Sequence, residues 1–334
     1  MNIEQIAVTG SAGFIGSHLV DALLAKGFRV KGMDNLSMGK KENFEHNLQN
    51  PRFRFYKMDV LEPENLKWVC RDVQVIVHLA ASKIPRYGNR LQTVLVNNIG
   101  THHVLEAAKE HHCKLVMAST SDVYGKNPKL PFNEESDSLI GPSAVKRWSY
   151  AVSKLFDEHL CFAYQEAFGI PVVNLRFFGS YGPRHHLSWW GGPQSVFISQ
   201  ILKDQKVTIH GDGQQTRSFT YISDTVEGIV AAITNERANG EVFNIGSTYE
   251  ISILNLAKLI HRLAHTGKDL KIEFVPYSSF DGKYEDVRRR VPDVTKAKEI
   301  LGVVPKVDLQ EGIARTIRWQ EEVEGVRERE RLAA

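Results

Sequence analysis

The segment Tyr150-Ala151-Val152-Ser153-Lys154 places a phenol four residues before an amine. Four residues make about one helical turn, so in a helix both side chains lie on one face. A free tyrosine has a pKa of about 10 and is a poor base at pH 7, but a neighbouring ammonium favours the phenolate and lowers that pKa. We therefore expect Tyr150 to take a proton from a hydroxyl group with help from Lys154. Taken alone, this pattern also arises often by chance.

A second polar stretch, Ser119-Thr120-Ser121-Asp122, follows a predicted strand in the same half of the chain. Ligands of α/β sheets bind at the carboxyl ends of the strands, where these hydroxyls would orient a reacting group. Asp122 is placed to act as a general acid or base. For each single hydroxyl, capping or turn formation is an equally good explanation.

A glycine-rich turn, Thr9-Gly10-Ser11-Ala12-Gly13-Phe14-Ile15-Gly16, connects the first predicted strand to the first predicted helix. Gly10 permits the tight turn, Gly13 lets the backbone approach a pyrophosphate, and Gly16 lets the helix pack closely on the sheet. The helix N-terminus then faces the anion. The alternative is that the glycines only make a tight turn. The predicted cofactor-binding residues of this turn are Gly10, Gly13, Phe14, Ile15 and Gly16.

Asp34 ends the second predicted strand, where a carboxylate accepts hydrogen bonds from both ribose hydroxyls of an adenosine. It repels a 2′-phosphate, so the sequence favours NAD over NADP, although Lys40 and Lys41 weaken this preference. Asp59-Val60, at the end of the third predicted strand, is expected to meet the adenine; an ordinary strand-end turn explains it nearly as well. Asn35, which follows Asp34, is included in the predicted cofactor site.

Strand-length apolar runs alternate with segments of helical period throughout the first half of the chain. Continuous apolar strands separated by helices indicate a parallel sheet covered on both faces, so we predict a doubly wound α/β domain over residues 1–178. After residue 178, glycine and proline pairs punctuate shorter elements, which predicts a smaller mixed α/β lobe over 179–325. The charged stretch that follows predicts a tail at 326–334.

The composition describes a globular protein of 334 residues with 42% hydrophobic residues and a net charge of +3. So small a charge gives no basic footprint for nucleic acid, and no apolar run reaches the roughly 20 residues of a membrane span. Cys70, Cys113 and Cys161 lie far apart, which argues against disulfides and thiolate metal sites and favours the reducing cytoplasm. His185-His186 lacks a third ligand at suitable spacing, so no metal site is expected.

Together these motifs resemble the extended short-chain dehydrogenase/reductase superfamily, and within it the nucleotide-sugar epimerases, dehydratases and decarboxylases. The resemblance runs from about Ile6 to Trp319. Besides the motifs above, it includes four further segments. They are His78-Leu79-Ala80-Ala81, Asn97-Asn98-Ile99-Gly100-Thr101, Gly211-Asp212-Gly213-Gln214-Gln215-Thr216-Arg217 and Asn244-Ile245-Gly246-Ser247.

This resemblance implies a Rossmann fold, bound NAD⁺ and oxidation of a nucleotide sugar at C4 to a 4-keto intermediate. Thr120 would bridge the sugar and Tyr150, Tyr150 would be the base at the C4 hydroxyl, and Lys154 would contact the cofactor ribose. Arg217 would contact the nucleotide diphosphate. Ala80 and Asn97 would line the cofactor.

The resemblance leaves the exact reaction open. Dehydratases and decarboxylases of this kind carry glutamate where Asp122 stands, so we expect C4 epimerisation of a UDP-sugar and disfavour 4,6-dehydration. Decarboxylation of UDP-glucuronate is the alternative, because Arg147-Trp148-Ser149-Tyr150 and Tyr284–Asp293 resemble decarboxylase segments, with Arg290 as the carboxylate contact. Arg288 or Arg290 could equally neutralise the diphosphate, with Ser121 nearby, or form a surface ion pair. A non-catalytic NAD-binding protein is the least favoured interpretation, because the catalytic residues are present.

The relatives commonly form dimers through two helices of each subunit. The apolar faces of the predicted helices Leu91–His112 and Tyr150–Phe168 are expected to serve this purpose, so we predict a homodimer.

Overall fold

The structure, a computed structural model, describes residues 2–83, 89–280 and 284–325. Its strands are β1 (Gln5–Thr9), β2 (Arg29–Asp34), β3 (Phe53–Lys57), β4 (Val75–His78), β5 (Lys114–Thr120), β6 (Val172–Phe177), β7 (Ser180–Tyr181), β8 (Val207–His210), β9 (Thr216–Ser218), β10 (Thr220–Tyr221), β11 (Glu241–Ile245), β12 (Glu250–Ser252) and β13 (Ile272–Val275). Its α-helices are α1 (Phe14–Ala25), α2 (Pro63–Cys70), α3 (Arg90–His111), α4 (Trp148–Phe168), α5 (Pro193–Leu202), α6 (Ile222–Thr234), α7 (Ile253–Ala264) and α8 (Leu309–Glu324).

Seven parallel strands form the central sheet in the order β11-β6-β5-β4-β1-β2-β3. Neighbouring strand residues point to opposite faces, and both faces are buried: Ile6 and Val8 belong to one apolar cluster, and Ala7 belongs to the other. The predicted doubly wound α/β fold is therefore confirmed. The strand order reverses between β1 and β4, and sheets of this kind bind ligands at such a reversal.

The stretch 179–325 contributes both to a smaller lobe and to the central sheet. In the lobe, β8 pairs with β13 in parallel and β9 pairs with β12 antiparallel, next to helices α5, α7 and α8. The chain also returns to the central sheet with β11, which pairs with β6. Because β11 lies after residue 178 but forms one edge of the central sheet, a division at residue 178 separates this strand from the sheet to which it belongs.

The predicted tail, 326–334, lies outside the described residues. Within the described part of the chain, no helix has both the length and the apolar character needed to cross a membrane.

Candidate active site

The glycine-rich turn lies between β1 and α1 and packs against the end of β4. Gly10 has φ of +70°, and a Cβ atom built there would lie 2.9 Å from the backbone nitrogen of Ala80. A Cβ atom on Gly16 would lie 2.0 Å from the carbonyl oxygen of Gly10. Only glycine fits both positions, because a side chain would displace backbone atoms. The resulting close turn at the start of α1, where Phe14 is the first helical residue, fits a bound pyrophosphate.

Asp34 is the last residue of β2, as expected, and its carboxylate accepts two hydrogen bonds from backbone N–H groups. Its Oδ2 atom accepts a hydrogen bond from the Ala12 N–H at 3.0 Å, and Oδ1 accepts one from the Leu36 N–H at 2.8 Å. Burial raises the pKa of Asp34 above its usual value, and the two backbone N–H groups oppose that rise. A carboxylate oxygen accepts more than one hydrogen bond, so Asp34 still has lone pairs for ribose hydroxyls.

Asn35 and Asp59 lie together at the same edge of the sheet, with Asn35 Nδ2 donating to Asp59 Oδ2 at 2.7 Å. Val60 is buried beside them, and its carbonyl oxygen accepts a hydrogen bond from His103. These residues adjoin the position expected for adenosine, and their contact with it remains a prediction.

Asn97 is buried and satisfies its polar atoms within the protein. Its Oδ1 atom accepts from the Ser82 N–H at 2.8 Å, and its Nδ2 atom donates to the Ser82 carbonyl and to Ser153 Oγ at 2.9 Å. Asn97 thus ties the chain after β4 to helix α4. This geometry makes it a support for the cofactor side of the cleft.

A cleft of about 430 Å³ opens beside the start of α1 at the carboxyl edge of the sheet. It brings together residues that the sequence analysis selected from distant parts of the chain. Arg288 lies elsewhere: its side chain is 64% exposed and forms an ion pair with Asp212 at 2.9 Å. Predicted site residues that line the cleft are Phe14, Ile15, Thr120, Ser121, Asp122, Tyr150, Arg217 and Arg290.

Tyr150 lies in the first turn of α4, and Lys154 follows one turn later. Burial raises the pKa of Tyr150, the Asp122 carboxylate raises it further, and a hydrogen bond from Thr120 opposes the rise. Lys154 Nζ donates to Asp157 Oδ2 at 3.1 Å, and both side chains are almost fully buried. Burial and Asp122 therefore favour the phenol over the phenolate in this structure. The expected lowering of the Tyr150 pKa by Lys154, with NAD⁺ bound beside it, stays a prediction.

Asp122 faces a cluster of arginines across the cleft wall. Its Oδ1 atom lies 2.7 Å from Arg290 Nη2 and 3.2 Å from Arg147 Nη2. Burial alone would raise the pKa of Asp122, but Arg290, Arg147 and Arg217 outweigh burial and hold that pKa below its usual value. Asp122 is therefore ionised at neutral pH. An ionised carboxylate has no proton to donate. Of the expected roles, general acid is therefore excluded, and Asp122 can act as a base or as a fixed negative charge.

Arg217 is held by a second partly buried carboxylate, Asp286. Asp286 Oδ1 lies 2.8 Å from Arg217 Nη2 and 2.6 Å from Arg147 Nη1, while its Oδ2 atom accepts from the Tyr277 hydroxyl at 2.9 Å. Burial opposes ionisation of Asp286, but Arg217, Arg147 and Arg290 keep its pKa well below the usual range. Three arginines and two aspartates thus line one wall of the cleft, which leaves one excess positive charge.

Two members of this cluster, Arg147 and Asp286, lie in the segments that resemble decarboxylases, but sequence reasoning assigned neither of them to the site. Arg147 precedes Tyr150 by three residues, so helical spacing provides a signal that it shares a face with the phenol. Asp286 offers no such signal, because only the folding of the second lobe brings it to α4.

The paired histidines also lie at the cleft, without the geometry of a metal site. His185 packs against Phe14 with ring centroids 4.1 Å apart, and burial lowers its pKa well below 6.5. His186 Nδ1 contacts Ser188 Oγ at 2.9 Å. Over residues 2–83, 89–280 and 284–325, no three His, Cys, Asp or Glu side chains are grouped so as to hold a metal ion.

A parallel sheet has a glycine turn at its switch point, Thr120 and Tyr150 line the adjoining cleft, and Lys154 is buried one turn after Tyr150. This combination defines an extended short-chain dehydrogenase/reductase. Comparisons with known proteins agree with this class. The family described as GDP-mannose 4,6 dehydratase matches residues 7–316, so the chain belongs to this family. The predicted enzyme class and the NAD cofactor are thereby confirmed: the protein is an NAD-dependent enzyme that modifies nucleotide sugars.

The curated relatives include decarboxylases. The chain is 38% identical over 324 residues to UDP-N-acetyl-alpha-D-glucosaminuronate decarboxylase of Bacillus cytotoxicus, which covers 96% of this chain and 99% of the relative. It is 37% identical to UDP-glucuronic acid decarboxylase 1 of Xenopus tropicalis, over 95% of this chain and 72% of the relative.

A solved structure with the same fold is an epimerase. UDP-glucuronic acid 4-epimerase from Bacillus cereus, in complex with UDP-glucuronic acid and NAD, is 34% identical with a TM-score of 0.86. The match covers 96% of this chain and 99% of that chain.

Proposed function

We propose that this enzyme removes the C6 carboxylate of a UDP-hexuronate after oxidation at C4. The observation that carries the proposal is the partly buried wall of Arg147, Arg217 and Arg290 against Asp122 and Asp286. Its excess positive charge lies next to Thr120, where a second anion beyond the diphosphate is best accommodated. Once the diphosphate takes Arg217, a neutral hexose would leave the remaining Arg290 donors in the cleft without an anionic partner.

Four polar residues that line the cleft then have separate roles. When bound, NAD⁺ would supply reversible hydride transfer at C4. In this proposal Lys154 and bound NAD⁺ favour the Tyr150 phenolate, which takes the proton of the C4 hydroxyl and returns it to the C4 oxygen when the ketone is reduced. The Thr120 hydroxyl, which hydrogen-bonds to Tyr150, orients that group. Arg290 and Arg217 bind the C6 carboxylate and the diphosphate, respectively.

Loss of the carboxylate then needs little from the protein. A C4 ketone makes the substrate a β-keto acid, so the C5–C6 bond breaks, CO₂ leaves and the electron pair delocalises from C5 onto the C4 oxygen. A proton then adds to C5. The net reaction consumes one UDP-hexuronate and one proton and yields one UDP-pentose and one CO₂.

The similarity to decarboxylases supports this proposal. The relatives from Bacillus cytotoxicus and Xenopus tropicalis act, by their names, on UDP-linked uronates. Arg290 lies in the segment whose resemblance to decarboxylases was noted from the sequence.

Epimerisation of a UDP-sugar at C4, the reaction first expected, is the second candidate. The Asp122 side chain is one methylene shorter than the glutamate of decarboxylases, and catalysis is sensitive to displacements of about 1 Å. The Bacillus cereus epimerase of matching fold was solved with UDP-glucuronic acid, so a uronate also suits this candidate.

Product analysis separates the two candidates. The protein is incubated with NAD and, separately, UDP-glucuronate, UDP-N-acetylglucosaminuronate, UDP-glucose and UDP-N-acetylglucosamine, and the products are followed by proton NMR. We expect bicarbonate release and a UDP-pentose from a uronate. Equilibration of axial and equatorial C4 protons with the carboxylate retained would instead establish epimerisation and overturn the proposal.

We also propose that the enzyme is a homodimer. Leu91, Leu95 and Ile99 form an exposed apolar stripe at four-residue spacing on α3, and Val152 and Phe156 continue it on the adjacent helix α4. A contiguous exposed apolar surface of this kind is typical of a protein interface.

A further inference from the structure

Five charged side chains form a continuous chain along one wall of the cleft: Arg290, Asp122, Arg147, Asp286 and Arg217. Successive contacts measure 2.7, 3.2, 2.6 and 2.8 Å, and the charges alternate in sign. One end adjoins Ser121 at the proposed reacting site. The other end is the arginine proposed to hold the diphosphate.

Arg147 is the central member and makes the most connections. Its Nη2 atom donates to Asp122, whereas its Nη1 atom donates to Asp286, to the Tyr284 hydroxyl at 3.1 Å and to the Glu285 carbonyl oxygen at 3.3 Å. A planar guanidinium donates in two directions at once, which a single ammonium group does not do with the same geometry. Arg147 thereby joins the loop after β5 to the segment that begins at residue 284.

The backbone fixes Arg147 relative to the phenol. Arg147 has helical φ and ψ angles of −51° and −43° and directly precedes α4, so it lies about one turn before Tyr150. The next residue, Trp148, is buried and donates its Nε1 proton to Glu285 Oε2 at 3.2 Å. The start of α4 is therefore attached to the second lobe at two consecutive residues.

We propose that Arg147 is a positioning residue that holds Asp122 and Asp286 in one fixed arrangement, so that the reacting site and the diphosphate site are assembled together. This inference rests on the proposed function, because it assigns the two ends of the chain to the sugar and the diphosphate. Arg147 acts on turnover through the two aspartates.

The geometry also indicates that the fold survives without Arg147. After its removal Asp122 retains Arg290, and Asp286 retains Arg217, so neither of these partly buried carboxylates loses its last cation. Asp286 would then pair with Arg217 alone and compete more strongly with a diphosphate for that guanidinium. We therefore expect weaker UDP binding along with slower turnover.

The test compares Arg147→Met and Arg147→Lys with a matched control, Arg289→Met. Arg289 lies in the same segment as Asp286 and Arg290 and also pairs with a carboxylate, that of Glu250 at 2.8 Å. Its side chain, however, is more than half exposed and does not belong to the charge chain. The measurements on each full-length protein are kcat, KM, the pH dependence of kcat, UDP affinity by calorimetry and Tm.

For Arg147→Met we expect kcat to fall by roughly ten- to a hundredfold, as misplacement by about 1 Å produces elsewhere. UDP affinity should fall by roughly threefold to tenfold, and Arg147→Lys should recover part of both losses. The acid limb of the kcat profile should move to higher pH, because one of the cations that favour ionised Asp122 is gone. The groups that face Asp122 are Arg147, Arg290, Arg217, Tyr150 and Thr120.

If Arg147→Met changes only Tm, or matches Arg289→Met in every measurement, the proposal is wrong. The proposal is also wrong if Arg147→Met lowers kcat but leaves both the acid limb of the kcat profile and the UDP affinity unchanged. Failure of the proposed function is recognised separately, because the wild type would then convert a neutral UDP-sugar or retain the carboxylate. The Arg147 comparison would in that case be made on the substrate that the wild type does convert.

Discussion

Arg290 Nη2 lies 2.7 Å from Asp122 Oδ1 in the wall of the cleft. Burial is the main cause that lowers the pKa of Arg290, and Arg217 and Arg147 lower it further. Asp122 opposes these effects, and the resulting pKa is about 10. The guanidinium is therefore still protonated at pH 7. Its five N–H donors exceed what Asp122 and Ser121 accept, so donors remain for a substrate carboxylate.

Replacing Arg290 tests the specificity for an acidic sugar. We expect Arg290→Met to lower kcat/KM for a UDP-uronate by roughly a hundredfold, since a charge-assisted hydrogen bond contributes about 1.5–3 kcal/mol and two are possible here. UDP affinity should change much less. Arg288→Met is the matched control, because Arg288 is exposed and pairs with Asp212 on the surface. Equal losses in both variants would refute the assignment of Arg290.

Replacing Tyr150 tests the proton transfer. Tyr150→Phe should lower kcat by at least about a hundredfold, the usual contribution of a positioned acid or base, and leave NAD affinity nearly unchanged. Tyr164→Phe in the same helix is the control, because that hydroxyl donates to Glu106 and lies outside the residues that line the cleft. Normal turnover of Tyr150→Phe with the correct substrate would show that the catalytic assignment is mistaken.

Replacing Asp34 tests the cofactor site. Asp34→Ala should weaken NAD binding by roughly tenfold to a hundredfold, which corresponds to about 1.4–2.7 kcal/mol of lost hydrogen bonding. Because Asp34 also accepts the backbone N–H groups of Ala12 and Leu36, Asp34→Asn serves as the matched variant that retains one acceptor oxygen. Calorimetric titration with NAD and NADP measures both effects. Equal affinity of the wild type for NADP would contradict the role of Asp34.

Asp286 gives the stability of the protein a defined pH dependence. The arginines around it depress its folded-state pKa, so its ionisation stabilises the fold above the unfolded-state pKa of about 3.9. That contribution is lost as the pH falls through this value towards the folded-state pKa. At pH 7 we expect Asp286→Asn to lower the free energy of unfolding by about 3 kcal/mol, because Arg147 and Arg217 lose their shared carboxylate.

The Asp286 prediction is checked by urea unfolding of the wild type and Asp286→Asn from pH 7 down to pH 3. The difference between the two proteins should shrink below about pH 4, where the carboxyl becomes protonated in the unfolded chain. Asp212→Asn, which removes an exposed partner of Arg288, is the control and should change little. A difference that stays constant with pH would rule out the electrostatic explanation.

The proposed dimer is tested at Phe156. Phe156 and Phe274 are both 52% exposed, but Phe156 belongs to the α3–α4 apolar surface and Phe274 lies on β13 in the second lobe. Phe156→Glu should shift the mass measured by light scattering from dimer to monomer, because a buried unpaired carboxylate opposes association. Phe274→Glu should leave the dimer intact. A strictly monomeric wild type would refute the proposal.

Several parts of the site could be predicted from the sequence because they depend on local geometry. The helical repeat places Tyr150 and Lys154 on one face, and the strand-to-helix turn requires glycine at position 10 whatever the rest of the chain does. The position of Asp34 at the carboxyl edge of the sheet could be predicted because Asp34 ends the strand β2. The parallel sheet follows from the alternation of apolar strands and helices, which also fixes where its carboxyl edge lies.

Only the tertiary structure decided which charges meet. Arg288 and Arg290 are two residues apart, a spacing that leaves both on one side of an extended chain, yet one pairs with Asp212 on the surface and the other with Asp122 in the cleft. Likewise, Lys154 lies near Tyr150 but its charge is taken up by Asp157. Coulomb interactions depend on the distance between the charges and on their burial. For residues distant in the sequence, these two quantities are set only when the two lobes pack together.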